Sequence, residues 1–176
     1  MHRLIIVAGA IALGLAPAEA PAESVSDRYA AYEFLIGNWI SKSGDATVRQ
    51  SFTWGPNRSY IRYSTHLQQS GSPERLHFDG IMVWNGKSRA LDYLFAIEPG
   101  SGAQEKGTVR GEPGKPVVRE VELTGADGAV SHFRQTFQEV GPQKVLTSLM
   151  RLTEAGWQPN FPGADRIEMV RTGDSN

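Results

Sequence analysis

From about residue 38 nearly to the C-terminus, the sequence alternates apolar and polar residues in short runs that end at Gly, Pro or Asn. Thr47 to Trp54 is one example, since Val48, Phe52 and Trp54 fall on the same side of an extended chain. A period of two residues is typical of a strand with one buried face, whereas a helix repeats every 3.6 residues. We count about nine to ten such runs, one short helix before them and no βαβ unit, which indicates an all-β antiparallel meander.

The turns between the runs support the same topology. Asn85-Gly86 separates the runs Leu76–Trp84 and Ala90–Ile97, and Asn-Gly between two such runs is a strong β-hairpin signal. About ten strands in one open sheet would curl or split, and closing the sheet into a barrel removes its exposed edges. We therefore predict an antiparallel meander β-barrel with a short N-terminal helix; a two-sheet β-sandwich is the alternative.

The N-terminus has the pattern of a secretory leader. Arg3 precedes the uncharged apolar run Leu4–Leu15, and small residues at A-x-A spacing follow in Ala16–Ala22. The apolar run is shorter than the about 20 residues that a transmembrane helix needs. We expect residues 1–22 to be a cleaved signal peptide, with Ala18 and Ala22 as cleavage sites left open. Residues 23–176 would then form one domain.

Cysteine usage and charge narrow the classes of function. The chain contains no cysteine, so it can form neither a disulfide nor a thioether to lipid, and we expect a periplasmic or secreted bacterial protein stabilised by packing alone. Lys and Arg number 18 against 19 Asp and Glu, a net charge of −1. This balance gives no electrostatic basis for binding nucleic acid, and we expect no stable membrane insertion. The oligomeric state is left open.

No catalytic motif emerges from the sequence. There is no G-x-S-x-G, no H-E-x-x-H and no cysteine nucleophile. Gly80 and Gly86-Lys87-Ser88 resemble a phosphate-binding loop but have five intervening residues instead of four, with no helix to follow. His66, His77 and His132 fall on three different strands. We therefore predict no catalytic residue, no bound metal and no cofactor.

Two features keep an enzyme open as an alternative. His77 and Asp79 share a face of one strand and could form a His–Asp pair, whereas Asp92 falls on the face opposite Tyr93. Glu98–Lys106 is predicted to be a long flexible loop, which could cover a barrel mouth.

Polar residues share the apolar face of the predicted strands. A packed core rarely keeps many polar side chains without partners, whereas a cavity with a few convergent polar groups would explain them. Both readings stay open, and we favour the cavity. The polar residues on this face are Gln50, Tyr63, Thr65, Tyr93, Gln135 and Ser148. The predicted ligand-binding residues are Trp54, Tyr63, Tyr93, Phe95 and Gln135.

The order of elements resembles the lipocalin-like (calycin) group. A short helical turn leads into Phe34-Leu35-Ile36-Gly37-Asn38-Trp39, and a meander of strands follows, as in secreted bacterial members of unknown function that open with G-x-W. The resemblance implies that Trp39 closes one end of the barrel, with Gly37 before it and an Arg of the last strand over its indole. Because first and last strands would pair antiparallel, Arg171 is favoured over Arg166.

The resemblance also implies an interior pocket for a small, mostly apolar ligand. We therefore expect an exported carrier of an apolar or amphipathic molecule, oriented by hydrogen bonds from Tyr63, Tyr93 or Gln135. The alternatives are an isomerase, cyclase or hydrolase that uses the barrel pocket, and a structural or interaction module of the envelope.

Overall fold

A computed structural model describes residues 24–173, so the predicted signal peptide lies outside the described residues. Helix α1 spans Val25–Tyr29 and a 3-10 helical segment follows at Ala30–Leu35. The strands are β1 Gly37–Ser43, β2 Ala46–Trp54, β3 Ile61–Gln68, β4 Arg75–Asn85, β5 Ala90–Ile97, β6 Ala103–Arg110, β7 Val117–Thr124, β8 Val130–Gly141, β9 Lys144–Thr153, β10 Gly156–Pro159 and β11 Ile167–Thr172.

Strand β9 closes the sheet into a barrel. Along one edge it pairs with β8, and along the other edge its first half pairs with β11 and its second half with β10. Strand β11 pairs in turn with β1, from which the meander runs through neighbouring strands to β8. All these pairs are antiparallel, and β10 is the strand that lies outside the ring of ten. The predicted meander barrel is thus confirmed, and the alternative of a two-sheet sandwich is excluded.

Two local predictions are wrong. The predicted loop Glu98–Lys106 is too long, because only residues 98–102 form the turn and β6 begins at Ala103, which pairs with Ile97 of β5. The composition of the segment favours a loop, but only one face of a strand needs to be apolar, so charged residues do not exclude a strand. Ser148 does not face inward: it hydrogen-bonds Thr136 at 2.7 Å while its neighbour Thr147 is buried. Both faces of β9 mix apolar and polar residues, so alternation alone could not choose between them.

A short plug formed by residues 24–36 fills one end of the barrel. Ser24 and Asp27 form a capping box that starts α1, and the buried rings of Tyr29 and Tyr32 point into the core. The Tyr29 hydroxyl donates to the Ser59 carbonyl at 2.9 Å, and that of Tyr32 donates to the Val109 carbonyl at 3.1 Å. Burial raises the pKa of Tyr32 to about 12, so this phenol stays protonated and keeps its hydrogen bond.

The plug is tied to the barrel through Trp39 and Arg171. These residues are direct cross-strand partners in β1 and β11, and the guanidinium lies 4.3 Å from the centroid of the indole. Arg171 also donates to the carbonyls of Phe34 at 2.9 Å and Ile36 at 2.6 Å, which end the plug. The indole Nε1 donates to the Leu35 carbonyl at 2.7 Å. Trp39 and Arg171 therefore join the first and last strands, form a cation–π contact and hold the plug in place.

Gly37 leaves the space that Arg171 needs. Its φ is +129°, a conformation that residues with a side chain rarely adopt, and a Cβ at this position would collide with the Arg171 guanidinium. The G-x-W spacing thus has a geometric reason, since the glycine and the tryptophan occupy neighbouring inward positions beneath the same arginine.

We predict that Arg171→Met destabilises the fold by about 2–3 kcal/mol, because charged hydrogen bonds to three carbonyls and a cation–π contact are lost together. Urea unfolding followed by tryptophan fluorescence measures the change. The matched control is Arg166→Met, because Arg166 is exposed just before the same strand. This substitution should lower the free energy of unfolding by less than about 0.5 kcal/mol. Equal costs at the two positions would contradict the role of Arg171.

Candidate functional site

A cavity of about 330 Å³ occupies the half of the barrel away from the plug. Its lining comes from the strand halves distant from residues 24–36, and from the segment after β10 that contributes Asn160 and Phe161. The volume lies near the lower limit for small-molecule sites. The apolar lining residues are Val48, Leu67, Phe78, Leu123, Phe133, Leu149, Phe161 and Ile167. The polar ones are Ser41, Gln50, Tyr63, Thr65, His77, Glu105, Arg119, Gln135, Thr147 and Asn160.

Of the five predicted ligand-binding residues, Tyr63 and Gln135 line the cavity. Tyr93 and Phe95 are buried on β5, and the Tyr93 hydroxyl contacts two cavity-lining side chains. Trp54 lies at the plug end, where its ring packs edge-on against Tyr29 at 5.4 Å. The structure therefore brings four of the five residues to the cavity or directly behind its wall, and separates Trp54 from them.

An aromatic row lies behind one wall of the cavity, and Tyr63 is its member that lines the cavity. Phe52 and Tyr63 stack at 4.4 Å, Tyr63 meets Phe95 edge-on at 5.2 Å, and Phe95 stacks on Tyr93 at 3.9 Å. Gly80 lies between Tyr63 and Phe95 in the sheet, and a Cβ there would lie 2.7 Å from Phe95 Cγ. The glycine therefore lets the rings of neighbouring strands meet. Such contacts hold the wall rigid in the absence of ligand.

A buried ion pair, which the sequence analysis did not identify, stands beside this wall. Arg119 on β7 lies 3.3 Å from the carboxylate of Glu105 on β6, and their side chains are only 6% and 3% exposed. The Tyr93 hydroxyl donates to Glu105 at 2.9 Å and accepts a hydrogen bond from Arg119. The guanidinium also lies 4.8 Å from the centroid of the Tyr93 ring. Three polar side chains thus bond to one another inside the barrel through the Arg119 Nη1 atom, the Tyr93 hydroxyl and the Glu105 carboxylate.

The environment fixes the protonation of this cluster. Burial opposes the charge on Arg119, but the Tyr93 and Glu105 oxygens outweigh that effect and raise the pKa of the guanidinium. Burial likewise raises the pKa of Tyr93 well above its ordinary value, so the phenol keeps the proton that it donates to Glu105. The cluster therefore sets a guanidinium cation and a protonated phenol against the Glu105 carboxylate.

Three buried polar atoms, in side chains that line the cavity, make no hydrogen bond of good geometry with any described residue: Thr65 Oγ1, Arg119 Nε and His77 Nδ1. Native proteins leave few buried polar groups unsatisfied, so each such group calls for an explanation. His77 Nδ1 lies 3.4 Å from a Glu98 carboxylate oxygen, and burial lowers the pKa of the ring, which favours the neutral imidazole. Thr65 and Arg119 are deeper, and both contribute to the same cavity.

The predicted His77–Asp79 pair is not formed, and the prediction that the two side chains lie on the same face of β4 is wrong. A register shift in the β3–β4 ladder pairs Thr65 with Phe78 and His66 with Leu76, which leaves His77 bulged. Asp79 stays on the outer face and accepts hydrogen bonds from Arg62 at 2.8 and 3.0 Å. Asp92 also bonds outside, to Asn85 at 2.9 Å. The enzyme alternative thus loses the acid–base pair on which it depended.

Within residues 24–173, no three His, Asp or Glu side chains are grouped so that they could hold a metal ion. Every helix in this part of the chain is too short or too polar to span a lipid bilayer.

Comparison of the sequence with protein-family models gives no match, and comparison with curated proteins gives none either. The site therefore has to be interpreted from its own geometry.

We predict that Arg119→Met destabilises the fold by about 3–5 kcal/mol, because it leaves the Glu105 carboxylate buried without a cation. Adding Glu105→Gln should restore most of the loss, since the double variant has no buried charge at this pair. Urea unfolding of the single and double variants measures both effects. On the outer face, Lys106 pairs with Glu122 at 3.1 Å, and Lys106→Met should cost at most about 1 kcal/mol. A double variant no more stable than Arg119→Met would show that the charge is not the cause.

Proposed function

We propose that the protein is a lipocalin-like carrier that holds one small apolar or amphipathic molecule inside the barrel. The observation that carries this proposal is the cavity of about 330 Å³, whose lining surface is mostly apolar and whose deep polar atoms Thr65 Oγ1 and Arg119 Nε form no hydrogen bond of good geometry with the described residues. Burying an apolar ligand against these walls contributes about 25 cal/mol per Å² of apolar surface removed from water. A few polar groups set the orientation of the ligand, as in other small-molecule sites.

The barrel architecture supports this proposal. Eight-stranded barrels have an interior wide enough for one small ligand, and barrel diameter grows with strand number. Ten strands form the closed ring here, while the plug and the aromatic core fill only one end. The larger diameter of a ten-stranded barrel leaves room for the cavity at the other end.

The lipocalin-like assignment is supported by the closing end of the barrel. Gly37, Trp39 and Arg171 form the arrangement that the resemblance implies, on the first and last strands of the chain. Ten strands are more than the eight of lipocalins, so the likeness concerns the meander and its closure rather than the strand number.

We further propose that residues 1–22 direct export and that the carrier acts in the periplasm or outside the cell. The basic start, apolar run and small-residue stretch of the sequence support this placement. Native mass spectrometry of protein purified from its source tests the carrier function. A bound non-protein mass that disappears on denaturation is expected; a protein of uniform, ligand-free mass that also binds no added apolar probe would contradict it.

We predict that Leu67→Trp blocks the cavity and weakens binding of the neutral apolar dye N-phenyl-1-naphthylamine by about tenfold or more. The matched control is Gln68→Trp, which adds the same side chain at the next residue, on the exposed face of β3. Fluorescence titration of the dye gives the affinities, and circular dichroism melts show that both variants fold. Equal dye affinities in the two variants would place the binding site outside the barrel.

A further inference from the structure

The two deep unpartnered atoms of the cavity, Thr65 Oγ1 and Arg119 Nε, can both donate a hydrogen bond. Thr65 is 3% exposed and lies between Gln50 of β2 and Phe78 of β4, which both line the same cavity. Arg119 uses its Nη1 atom for Tyr93 and Glu105, and this leaves Nε unused. Within the described residues neither atom donates a hydrogen bond of good geometry, although the Thr65 hydroxyl lies within reach of the Tyr63 hydroxyl. Both atoms are buried in side chains that line the cavity, and their donor capacity is left for a ligand.

We propose that the cavity selects a ligand with an uncharged carbonyl head, such as an amide, ketone or ester, on an apolar chain. The carbonyl oxygen accepts hydrogen bonds from Thr65 and Arg119, and the chain lies along the apolar lining that includes Leu123, Phe133 and Leu149. This inference rests on the carrier function proposed above and specifies the class of its ligand.

Charge balance is the reason for an uncharged head. The positive charge of Arg119 is already compensated by Glu105 at 3.3 Å. A ligand carboxylate at Arg119 would add a second anion beside the buried Glu105, and a ligand ammonium would face the guanidinium. Either charge would be removed from water without a counter-ion of its own, which is strongly unfavourable in a buried site. A carbonyl oxygen satisfies the two donors without adding charge.

The first test uses the native protein and three probes with the same ten-carbon chain: decanamide, decanoate and decylammonium. Each competes with N-phenyl-1-naphthylamine near neutral pH, below the micellar concentration of the probe. We expect decanamide to displace the dye at a concentration about tenfold or more below that of either charged probe. Displacement by decanoate or decylammonium at equal or lower concentration overturns the neutral-head inference but leaves the carrier function standing. Failure of the dye and all three probes to bind overturns both.

The second test replaces the proposed donor. Thr65→Val removes a buried hydroxyl that makes no hydrogen bond of good geometry with the described residues, so the melting temperature of the variant should be close to or above that of the native protein. Its affinity for decanamide should nevertheless fall by about tenfold, while Thr65→Ser, which keeps a hydroxyl, retains the affinity. Weaker binding without lower stability is not expected of a purely structural residue. Unchanged decanamide affinity in Thr65→Val overturns the assignment of Thr65.

The third test changes the charge balance. Glu105→Gln leaves the Arg119 cation without its counter-ion, so the affinity for decanoate should rise by about tenfold or more relative to the affinity for decanamide. Glu122→Gln makes the same chemical change on the outer face of β7, where Glu122 pairs with Lys106, and should leave the ratio unchanged. A ratio unaffected by Glu105→Gln in folded protein overturns the role of the ion pair. If Glu105→Gln does not give a cooperative melt, the native and Thr65 measurements still decide the inference.

Discussion

The whole architecture depends on the double pairing of β9. This strand is the point at which the end of the meander returns to its beginning, with β8 on one edge and β11 on the other. Without it the sheet would have two exposed edges, and the inward residues would face a cleft rather than an enclosed interior. Because β11 pairs with β9 along one edge and with β1 along the other, closure also brings Arg171 over Trp39 and joins the plug to the barrel.

The barrel is divided into two unlike halves. Around the plug, Tyr32, Leu35, Trp39 and their neighbours form a closely packed core, and the tyrosine hydroxyls there bond to backbone carbonyls. In the other half the inward positions carry Gln50, Thr65 and Gln135, and a cavity replaces the packing. A rigid packed end can support a preformed site at the opposite end, since the stability of the barrel does not require the cavity to be filled.

The ion pair of Glu105 and Arg119 gives the cavity its chemical character. Buried pairs of this kind contribute little to stability compared with apolar packing, because removing both charges from water is costly. The position of Glu105 and Arg119 at the cavity therefore explains the presence of this pair better than a contribution to stability does. The pair provides a strong local polarity without net charge, and Tyr93 holds its geometry from behind the wall.

Local alternation was sufficient to predict most of the strands and their antiparallel order, and it places Tyr63, Tyr93 and Gln135 on the inward face, where they are buried. The ion pair was missed, although Val117, Arg119 and Val121 alternate in a way that places the arginine inside. The sequence assigns no face to Glu105, because the composition of Glu98–Lys106 predicts a loop. Asp79 was misplaced because a bulge at His77 changes the phase of β4, and alternation does not reveal a bulge.

Nuclear magnetic resonance of the native protein during titration with N-phenyl-1-naphthylamine distinguishes a binding site inside the barrel from one on its surface. For a site inside the barrel, the backbone amide signal of Thr65 and the side-chain NεH signal of Arg119 should shift with the same dissociation constant, while the backbone amide signal of Tyr32 in the plug stays unchanged. Shifts restricted to residues on the outer face, or none at saturating dye, would contradict a binding site inside the barrel.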